Sequence, residues 1–485
     1  MSERALNVWM NGELTGEWRI ARTGAHEFSY APEWTTSPSV RALSLSLPVT
    51  SDRTLRGAAV ENYFDNLLPD ATPIRERMRA RFGTKSARTF DLLAAIGRDC
   101  AGAVQLLLPD TAPGNIKRID STPVSSREIA QLLRGITLPA VPGAPGTQDL
   151  DDFRISIAGA QEKTALLRIG KQWHRPHGAT PTTHILKLPL GLVGGRQIDM
   201  RESVENEWLC AQIAAALGLP AAVTEMAVFD QQKVLVVERF DRQWIRPSAS
   251  ASASASASAS ASASASASSL RSSSAAAPTS AAKTPAPARG SWIARLPQED
   301  FCQATGTPSN HKYENAGGPG MARCLEILAY SEAPDADRLR FIQSQLLFWL
   351  LAATDGHAKN FSLFHKRAHA YTLTPLYDVI SMWPVIGKRA GHLSLHDAKL
   401  AMALRSKNAH YRLMDMQTRH WQALAQSCGV RNAWSHLQAL VERMDDALGV
   451  VEKKLPAHFP DAVWTKISKG MRAQAKLFRA GLVKQ

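Results

Sequence analysis

The stretch DRLRFIQSQLLFWLLAA, Asp337 to Ala353, constrains the chain more than any other. Its apolar residues recur at helical spacing around nearly every side of the helix they predict, so no face is left for water. Such a helix has to be enclosed, and the rest of the chain has to supply the enclosure. Asp337 is placed to cap its N-terminus. Directly after it comes TDGHAKNFSLF, where Asp355, His357, Lys359 and Asn360 crowd together before apolar residues resume. A polar helix end explains this pattern, and so does a catalytic loop carried on a buried support.

The material for an enclosure is present. The chain has 485 residues, 45% of them hydrophobic, enough for two or three packed units. NVWMNGELTGEW carries a two-residue hairpin signal at Asn11-Gly12. LSLSLP (Leu43 to Pro48) alternates at strand period, while VENYFDNLLPD and FDLLAAIG predict helices. Residues 1–110 therefore read as a small α+β domain with a structural or interaction role. Residues 111–150 are rich in Pro and Gly (PAVPGAPGT) and read as a connecting segment around one helix, SSREIAQLLRGI. A compact region follows over 151–245. From Ser248 to Ser268 serine and alanine alternate strictly. Such a tract buries almost nothing, so 246–290 is expected to be a disordered insert rather than a strand. Residues 291–485 are helix-rich, with MARCLEILAY, WQALAQSCGV and AWSHLQALVERMDDALGVVEKKL as amphipathic partners for the central helix. The predicted class is α+β.

The net charge of +14, from 57 basic and 43 acidic side chains, favours polyanionic partners. Five scattered cysteines without a C-x-x-C pair argue against a disulfide framework or a zinc ribbon, and predict reduced thiols. No apolar run is long enough to span a bilayer and the N-terminal stretch has no apolar core of a signal peptide. The expectation is a cytoplasmic chain with no membrane partner.

Candidate chemistry appears in a fixed order. FRISIAGAQEKTALLRI predicts a hairpin with a small-residue tip, whose backbone N–H groups can approach phosphate. It is not a Walker A loop, because Glu162 rather than glycine precedes Lys163. THILKLP sets Lys187 in an apolar strand, where an ammonium either snorkels from an edge or needs an anionic partner. SVENEWLCAQIAAALGL follows as a helix with Glu205 and Glu207 near its start. An ion pair between strand lysine and helix glutamate would hold phosphates; acids in a first helical turn are also favourable by themselves. VLVVERFDR is a buried strand ending at Glu238, Arg239 and Phe240, where backbone groups could meet a nucleobase. Asp355 and Asn360 have the Asp-x4-Asn spacing of a protein-kinase catalytic loop, in which the Asp orients the acceptor hydroxyl and the Asn binds a metal. Asp378, in LTPLYDVIS, suits a second Mg2+ ligand, since Mg2+ takes a few hard oxygens shared with phosphates. The rival is a hydrolytic metal site built from Asp355, His357, His392, His396 and Asp397. GHLSLHD lacks the glutamate of H-E-x-x-H, and that rival leaves Lys187 without a role.

These residues resemble a known family. SIAGAQEKTALLRIG, PTTHILKLP, VERFDRQW, RLPQEDFCQ, GGPGMAR, ATDGHAKNFS and TPLYDVIS, with GAHEFSYAPEW, LSLSLP, FDNLLPD and FDLLAAIGRD before them, are similar to the HipA toxins of bacterial HipBA toxin–antitoxin systems. The resemblance covers nearly the whole chain outside the Ser/Ala tract. It implies a two-lobed protein-kinase-like fold, with an N-lobe over 151–245 and a helical C-lobe over 291–485 behind a family-specific N-terminal domain. By motif, Asp355 would be the catalytic aspartate, with Asn360 and Asp378 as Mg2+ ligands. ATP would be held by the nucleotide loop Ala158, Gly159, Ala160, Gln161, Glu162 and Lys163, and by Lys187 with Glu207 as its partner. Glu238, Arg239 and Phe240 would form the adenine hinge, and His357, Ala358, Lys359 and Tyr377 would line the site. Ser156 matches the family's autophosphorylated serine, and phosphate there would silence the kinase. The implied substrate is glutamyl-tRNA synthetase. The implied partner is a HipB-type helix-turn-helix antitoxin, and through that complex operator DNA, so that the pair represses its own operon. A catalytically silent corepressor and a small-molecule kinase are the alternatives.

Overall fold

Asn11 and Gly12 adopt left-handed backbone conformations, φ 47° and 84°, which a tight two-residue hairpin turn demands. They join β1 (Arg4–Met10) to β2 (Glu13–Ile20). The computed structural model describes residues 4–137, 161–246 and 290–483; the Ser/Ala tract lies outside them. With β3 (His26–Tyr30), β4 (Thr54–Arg56) and β5 (Val104–Leu107), the first strands form an antiparallel sheet ordered β4-β3-β2-β1-β5. Four helices accompany it: α1 (Pro32–Thr36), α2 (Ala58–Asp65), α3 (Thr72–Phe82) and α4 (Thr89–Ile96). The core between them centres on Trp18, stacked on Phe64 with ring centroids 4.0 Å apart.

LSLSLP is not a strand. Leu43 and Leu47 are buried, but the segment is a turn closed by a single bridge between Ser44 and Leu47. Its alternation serves an interface: the hydroxyls of Ser44 and Ser46 donate to the Gln303 carbonyl, and the Leu45 N–H donates to Glu299 (2.9 Å). The polar positions thus face another unit rather than water.

A second sheet has six strands: β6 (Ser121–Pro123), β7 (Lys163–Ile169), β8 (Gln172–Pro176), β9 (His184–Lys187), β12 (Thr224–Phe229) and β13 (Gln232–Glu238), with the hairpin β10 (Gly191–Val193) and β11 (Ile198–Met200) standing apart. The order is β12-β13-β9-β7-β8-β6. Here a correction applies to the segment 111–150. Its strand β6 pairs with β8, and its helix α5 (Ser126–Thr137) buries Ile129, Ala130, Leu132 and Leu133 against Leu166, Leu186 and Val236 of this sheet. Those residues belong to the lobe and do not merely connect to it. Helix α6 (Ser203–Ala216) packs with the sheet's β12 and β13 and leads into the largest core.

The rest is mainly helical. β14 (Arg242–Ile245) and β15 (Trp292–Arg295) pair, with Ile245 opposite Trp292. β16 (Gln298–Asp300), β17 (Ser362–His365) and β18 (Tyr371–Leu373) form a small sheet, and β19 (Lys399–Arg405) pairs with β20 (Ala409–Arg412). The helices are α7 (Phe301–Ala304), α8 (Met321–Leu328), α9 (Pro334–Leu351), α10 (Thr418–Ser427), α11 (Ala433–Glu442), α12 (Met444–Glu452) and α13 (Asp461–Val483). The central helix is α9. Phe341, Ile342 and every residue from Leu346 to Leu351 are buried, each large apolar side chain contributing about 1.5–3 kcal/mol relative to exposure. Asp337 does not cap it. Pro334 starts the helix one turn earlier, Ala333 is the N-cap, and the buried Asp337 carboxylate accepts from the Leu373 N–H (3.1 Å) and the Thr372 hydroxyl (3.0 Å) of β18. All five cysteines are buried and free. No helix among the described residues is long and apolar enough to cross a membrane.

The N-terminal unit is locked to the end of β13 by charge. Asp99 and Asp241 share three enclosed guanidinium groups: Arg239 with Asp241 (2.7 Å) and Asp99 (3.2 Å), Arg242 with Asp241 (2.9 Å) and Asp99 (3.0 Å), and Arg295 with Asp99 (3.2 Å). The surplus positive charge is met by the carbonyls of Cys100, Gly102 and Ala179. Burial pushes the Asp99 carboxyl up, but Arg242, Arg239 and Arg295 outweigh it and hold it well below the ordinary carboxylate range. A depressed carboxyl stabilises the fold above its unfolded value, about 3.9, and loses that contribution as pH falls through the folded one. Asp99→Asn should therefore cost about 3–5 kcal/mol at neutral pH, because it strands buried cations. The deficit should shrink progressively below about pH 4, where the unfolded parent takes up a proton that the folded Asp99 still resists. Denaturation midpoints of parent and variant across this range check it.

Candidate active site

Lys187 lies on β9, a central strand of the six-stranded sheet, and is 4% exposed. An edge position from which it could snorkel is thus ruled out, and an ammonium so placed needs partners. It donates to Glu207 Oε1 of α6 (2.6 Å) and to Asp378 Oδ1. Glu205, two residues earlier, pairs with Lys233 instead (2.7 Å). Lys163 of β7 stands directly opposite Lys187 in the register. Two like charges so placed repel unless anions lie beside them, and Asp378 and Glu207 do.

The charges of this cluster follow from burial and neighbours. Burial pushes the Asp378 carboxyl up, but Lys187 and Lys163 outweigh it and hold it well below the usual range. Burial disfavours the Lys187 ammonium, yet Asp378 and Glu207 raise it overall. For Lys163 burial wins and its value is lowered, with Asp378 opposing. Asp378 takes a left-handed backbone conformation, φ 59°. That posture is uncommon for a residue other than glycine and costs energy that the surrounding contacts must hold.

The loop after α9 explains the Asp-x4-Asn spacing. Ala352 ends the helix in a left-handed cap, φ 50°, and the Ala353 N–H donates back to Phe348 (2.8 Å). The Asp355 carbonyl then accepts both the His357 N–H (2.8 Å) and the Asn360 side-chain amide (2.7 Å). Four intervening residues are what this closed loop needs. Because the amide nitrogen of Asn360 is engaged inward, its carbonyl oxygen is the end left for a cation. The Asp355 carboxylate projects outward, 57% exposed. A Cβ on Gly356 would come within 2.2 Å of the Phe348 ring, so glycine lets the loop lie on the helix that carries it. Burial lowers the His357 imidazole to about 4, against the pull of Asp355, and the ring is neutral near pH 7.

Other expected residues are placed as follows. Phe240 packs against Tyr377 (5.6 Å) and edge-on to Phe364 (5.7 Å), an aromatic group at the junction of the lobes. The N–H groups of Glu238 and Arg239 already donate to Val223 and Thr183. The Arg239 side chain is a correction to the expected nucleotide contact, being committed to Asp99 and Asp241. Lys359 is another: its ammonium turns to the Asn66 side chain (2.7 Å) and toward Asp300 (3.4 Å) and Asp70 (3.6 Å), because those buried acceptors of α2's C-terminal end and β16 surround it. The Ala358 N–H donates to Lys312 (3.2 Å) and the Tyr377 hydroxyl to the Lys359 carbonyl (2.7 Å). Gln161 bonds the Leu188 carbonyl, and Glu162 pairs with Arg77 of α3. Ser156, Ala158, Gly159 and Ala160 lie outside the described residues. His392, His396 and Asp397 are not brought to Asp355; Asp397 pairs with Arg196 (3.2 Å). Among the described residues no group of three His, Cys, Asp or Glu side chains could hold a metal ion.

Three residues were missed by reading the sequence. Tyr313 donates to Asp355, Lys312 pairs with Asp70 (2.8 Å), and Asp70 brings the N-terminal unit to the edge of the Asp355–Asn360 loop. Asp70 closes FDNLLPD and GGPGMAR follows Tyr313 in the sequence, but neither string says where it docks.

The set fits a polyphosphate and a hard cation. The buried Lys187 and the half-buried Lys163 oppose each other across β7 and β9, Asp378 and Asn360 supply oxygens of the type Mg2+ selects, and aromatic rings lie at the lobe junction. Compared with known proteins, residues 155–450 match the HipA-like C-terminal domain and residues 6–107 the HipA N-terminal domain. The chain is 30% identical over 434 residues to "Putative kinase Y4mE" of Sinorhizobium fredii, spanning 89% of this chain and 87% of that one. It is 25% identical over 396 residues to the serine/threonine-protein kinase toxin HipA of Shewanella oneidensis, spanning 78% and 75%. Its fold matches a chain of the solved Shewanella oneidensis complex of HipA, HipB and operator DNA, with a TM-score of 0.71 at 22% identity, over 99% of this chain and 98% of that one.

Proposed function

The chain belongs to the HipA family, and from that premise we propose that it is an ATP- and Mg2+-dependent serine/threonine-protein kinase acting as the toxin of a toxin–antitoxin pair. One observation carries the reading: Lys163 and Lys187 oppose each other across β7 and β9 with Glu207 and Asp378 beside them, and Asp355 and Asn360 share one closed loop. In this reading the two ammonium groups hold phosphate oxygens. Glu207 fixes Lys187, and Phe240 with Tyr377 flanks the base. Asp355 takes a hydrogen bond from the acceptor hydroxyl and directs its lone pair in line with the transferred phosphoryl group. Asn360 and Asp378 would hold Mg2+, which when bound neutralises charge on the phosphates.

Resemblance to the family supports Ser156 as an autophosphorylation site; about two added negative charges there would compete for Lys163 and Lys187. It likewise supports glutamyl-tRNA synthetase as the acceptor. The partners in this reading are a HipB-type antitoxin and its operator DNA, supported by the fold shared with the solved ternary complex and by the +14 charge. The test is incubation of the purified chain with radiolabelled ATP and Mg2+ in a lysate, followed by identification of the labelled proteins. Label on a glutamyl-tRNA synthetase serine and on Ser156 is expected. Label on another protein changes the substrate, and absence of label on any protein rejects the kinase.

A further inference from the structure

Asp355 is the most exposed polar group of the loop, and a free carboxylate there would sample several rotamers. Its backbone is fixed by Asn360 and His357, but neither fixes its carboxylate: His357 Nε2 stays 3.7 Å from Oδ1, beyond hydrogen-bond reach. Among the described residues one group does bond it, the phenol of Tyr313, whose O–H donates to Oδ1. The ring of Tyr313 stands edge-on against His357, centroids 5.1 Å apart.

The segment that delivers this phenol is pinned on both sides. Before it, the Lys312 ammonium pairs with Asp70 (2.8 Å), and the Lys312 carbonyl accepts the Ala358 N–H of the catalytic loop (3.2 Å). After it, Glu314 accepts from the Ala403 N–H (2.6 Å) and from Arg405 (3.0 Å). The Tyr313 carbonyl itself accepts the N–H groups of Ala316 (3.0 Å) and Gly318 (2.9 Å). The turn is folded too tightly for side chains at two glycines: a Cβ on Gly318 would meet the His311 carbonyl at 2.1 Å, and one on Gly320 the Glu314 carboxylate at 2.3 Å. A contact held by so many independent restraints is built into the fold.

We propose that Tyr313 is a positioning residue for phosphoryl transfer: its phenol holds Asp355 through Oδ1 and leaves Oδ2 to receive the acceptor hydroxyl. Through Lys312 and Asp70 the N-terminal unit then sets where the catalytic carboxylate points. This inference rests on Asp355 being the catalytic aspartate. Misplacing a reacting group by about 1 Å can cost on the order of 100-fold.

Tyr313→Phe keeps the ring against His357 and removes only the donor. The assay is label transferred from radiolabelled ATP to the chain itself and to lysate protein, run well below both melting temperatures. The expected result is a maximal rate about 10- to 100-fold lower, with half-saturating ATP within about twofold of the parent. A merely structural tyrosine would not lower the maximal rate without also moving ATP saturation. An unchanged maximal rate overturns the inference, as does a loss matched by weaker ATP saturation. Asp355→Asn, assayed alongside, separates the premises. If it keeps the parent rate, the catalytic assignment of Asp355 falls; if it is inactive while Tyr313→Phe is unimpaired, only the role of Tyr313 falls.

Discussion

Asp355→Asn is expected to abolish phosphate transfer, with a loss of about 10²–10⁴-fold, the range of a positioned acid–base group, while leaving the fold and nucleotide binding in place. The structure gives the reason for both halves. The Asp355 carboxylate is 57% exposed and among the described residues is held by the Tyr313 phenol, so its replacement by an amide of equal size disturbs little packing. The loop is closed through the Asp355 carbonyl, which asparagine retains. The change falls on the lone pair that would meet the acceptor hydroxyl, and the amide can present its nitrogen there. Rate of label transfer, melting temperature and equilibrium ATP binding give the three readouts. A variant that transfers phosphate at the parent rate removes Asp355 from the mechanism.

Lys187→Met should injure both stability and function. Without the ammonium, Glu207 and Asp378 remain enclosed with Lys163 as the nearest cation, and breaking a buried pair in this way costs about 3–5 kcal/mol. ATP saturation should weaken with it if, as proposed, Lys187 is one of the two cations that hold the phosphates. Pairing the change with Glu207→Gln separates the effects. The double variant removes one stranded charge and should recover part of the melting temperature, while label transfer stays lost. Recovery of transfer along with stability would show that Lys187 serves the fold alone.

The features that could be read in the chain are those decided locally. The turn at Asn11-Gly12, the all-round apolar α9 and the strand bearing Lys187 follow from short-range pattern, and the structure contains each. The Lys187–Glu207 ion pair was one of two glutamate choices open by spacing; the structure selects Glu207 because α6 directs it toward β9 and Glu205 toward Lys233. What escaped is decided by partners far away in the chain. Lys359 looks like a nucleotide residue beside Asn360, until Asn66 and Asp70 approach it from the N-terminal unit. Arg239 looks like a strand end, until Asp99 captures its guanidinium. LSLSLP has strand alternation, yet its serines answer to Gln303. Tyr313 carries no local sign at all, since its meaning arises when a separate segment is pinned over the Asp355–Asn360 loop.

Ile245 and Trp292 face each other on β14 and β15, so the chain that leaves one strand returns on its immediate neighbour. The pairing of β14 with β15 holds the two ends of the connection together. Each doubling of such a loop costs only about 0.6 kcal/mol in closure entropy. This seam is therefore a port in the architecture, where sequence can be lengthened or shortened at a closure penalty that grows only logarithmically.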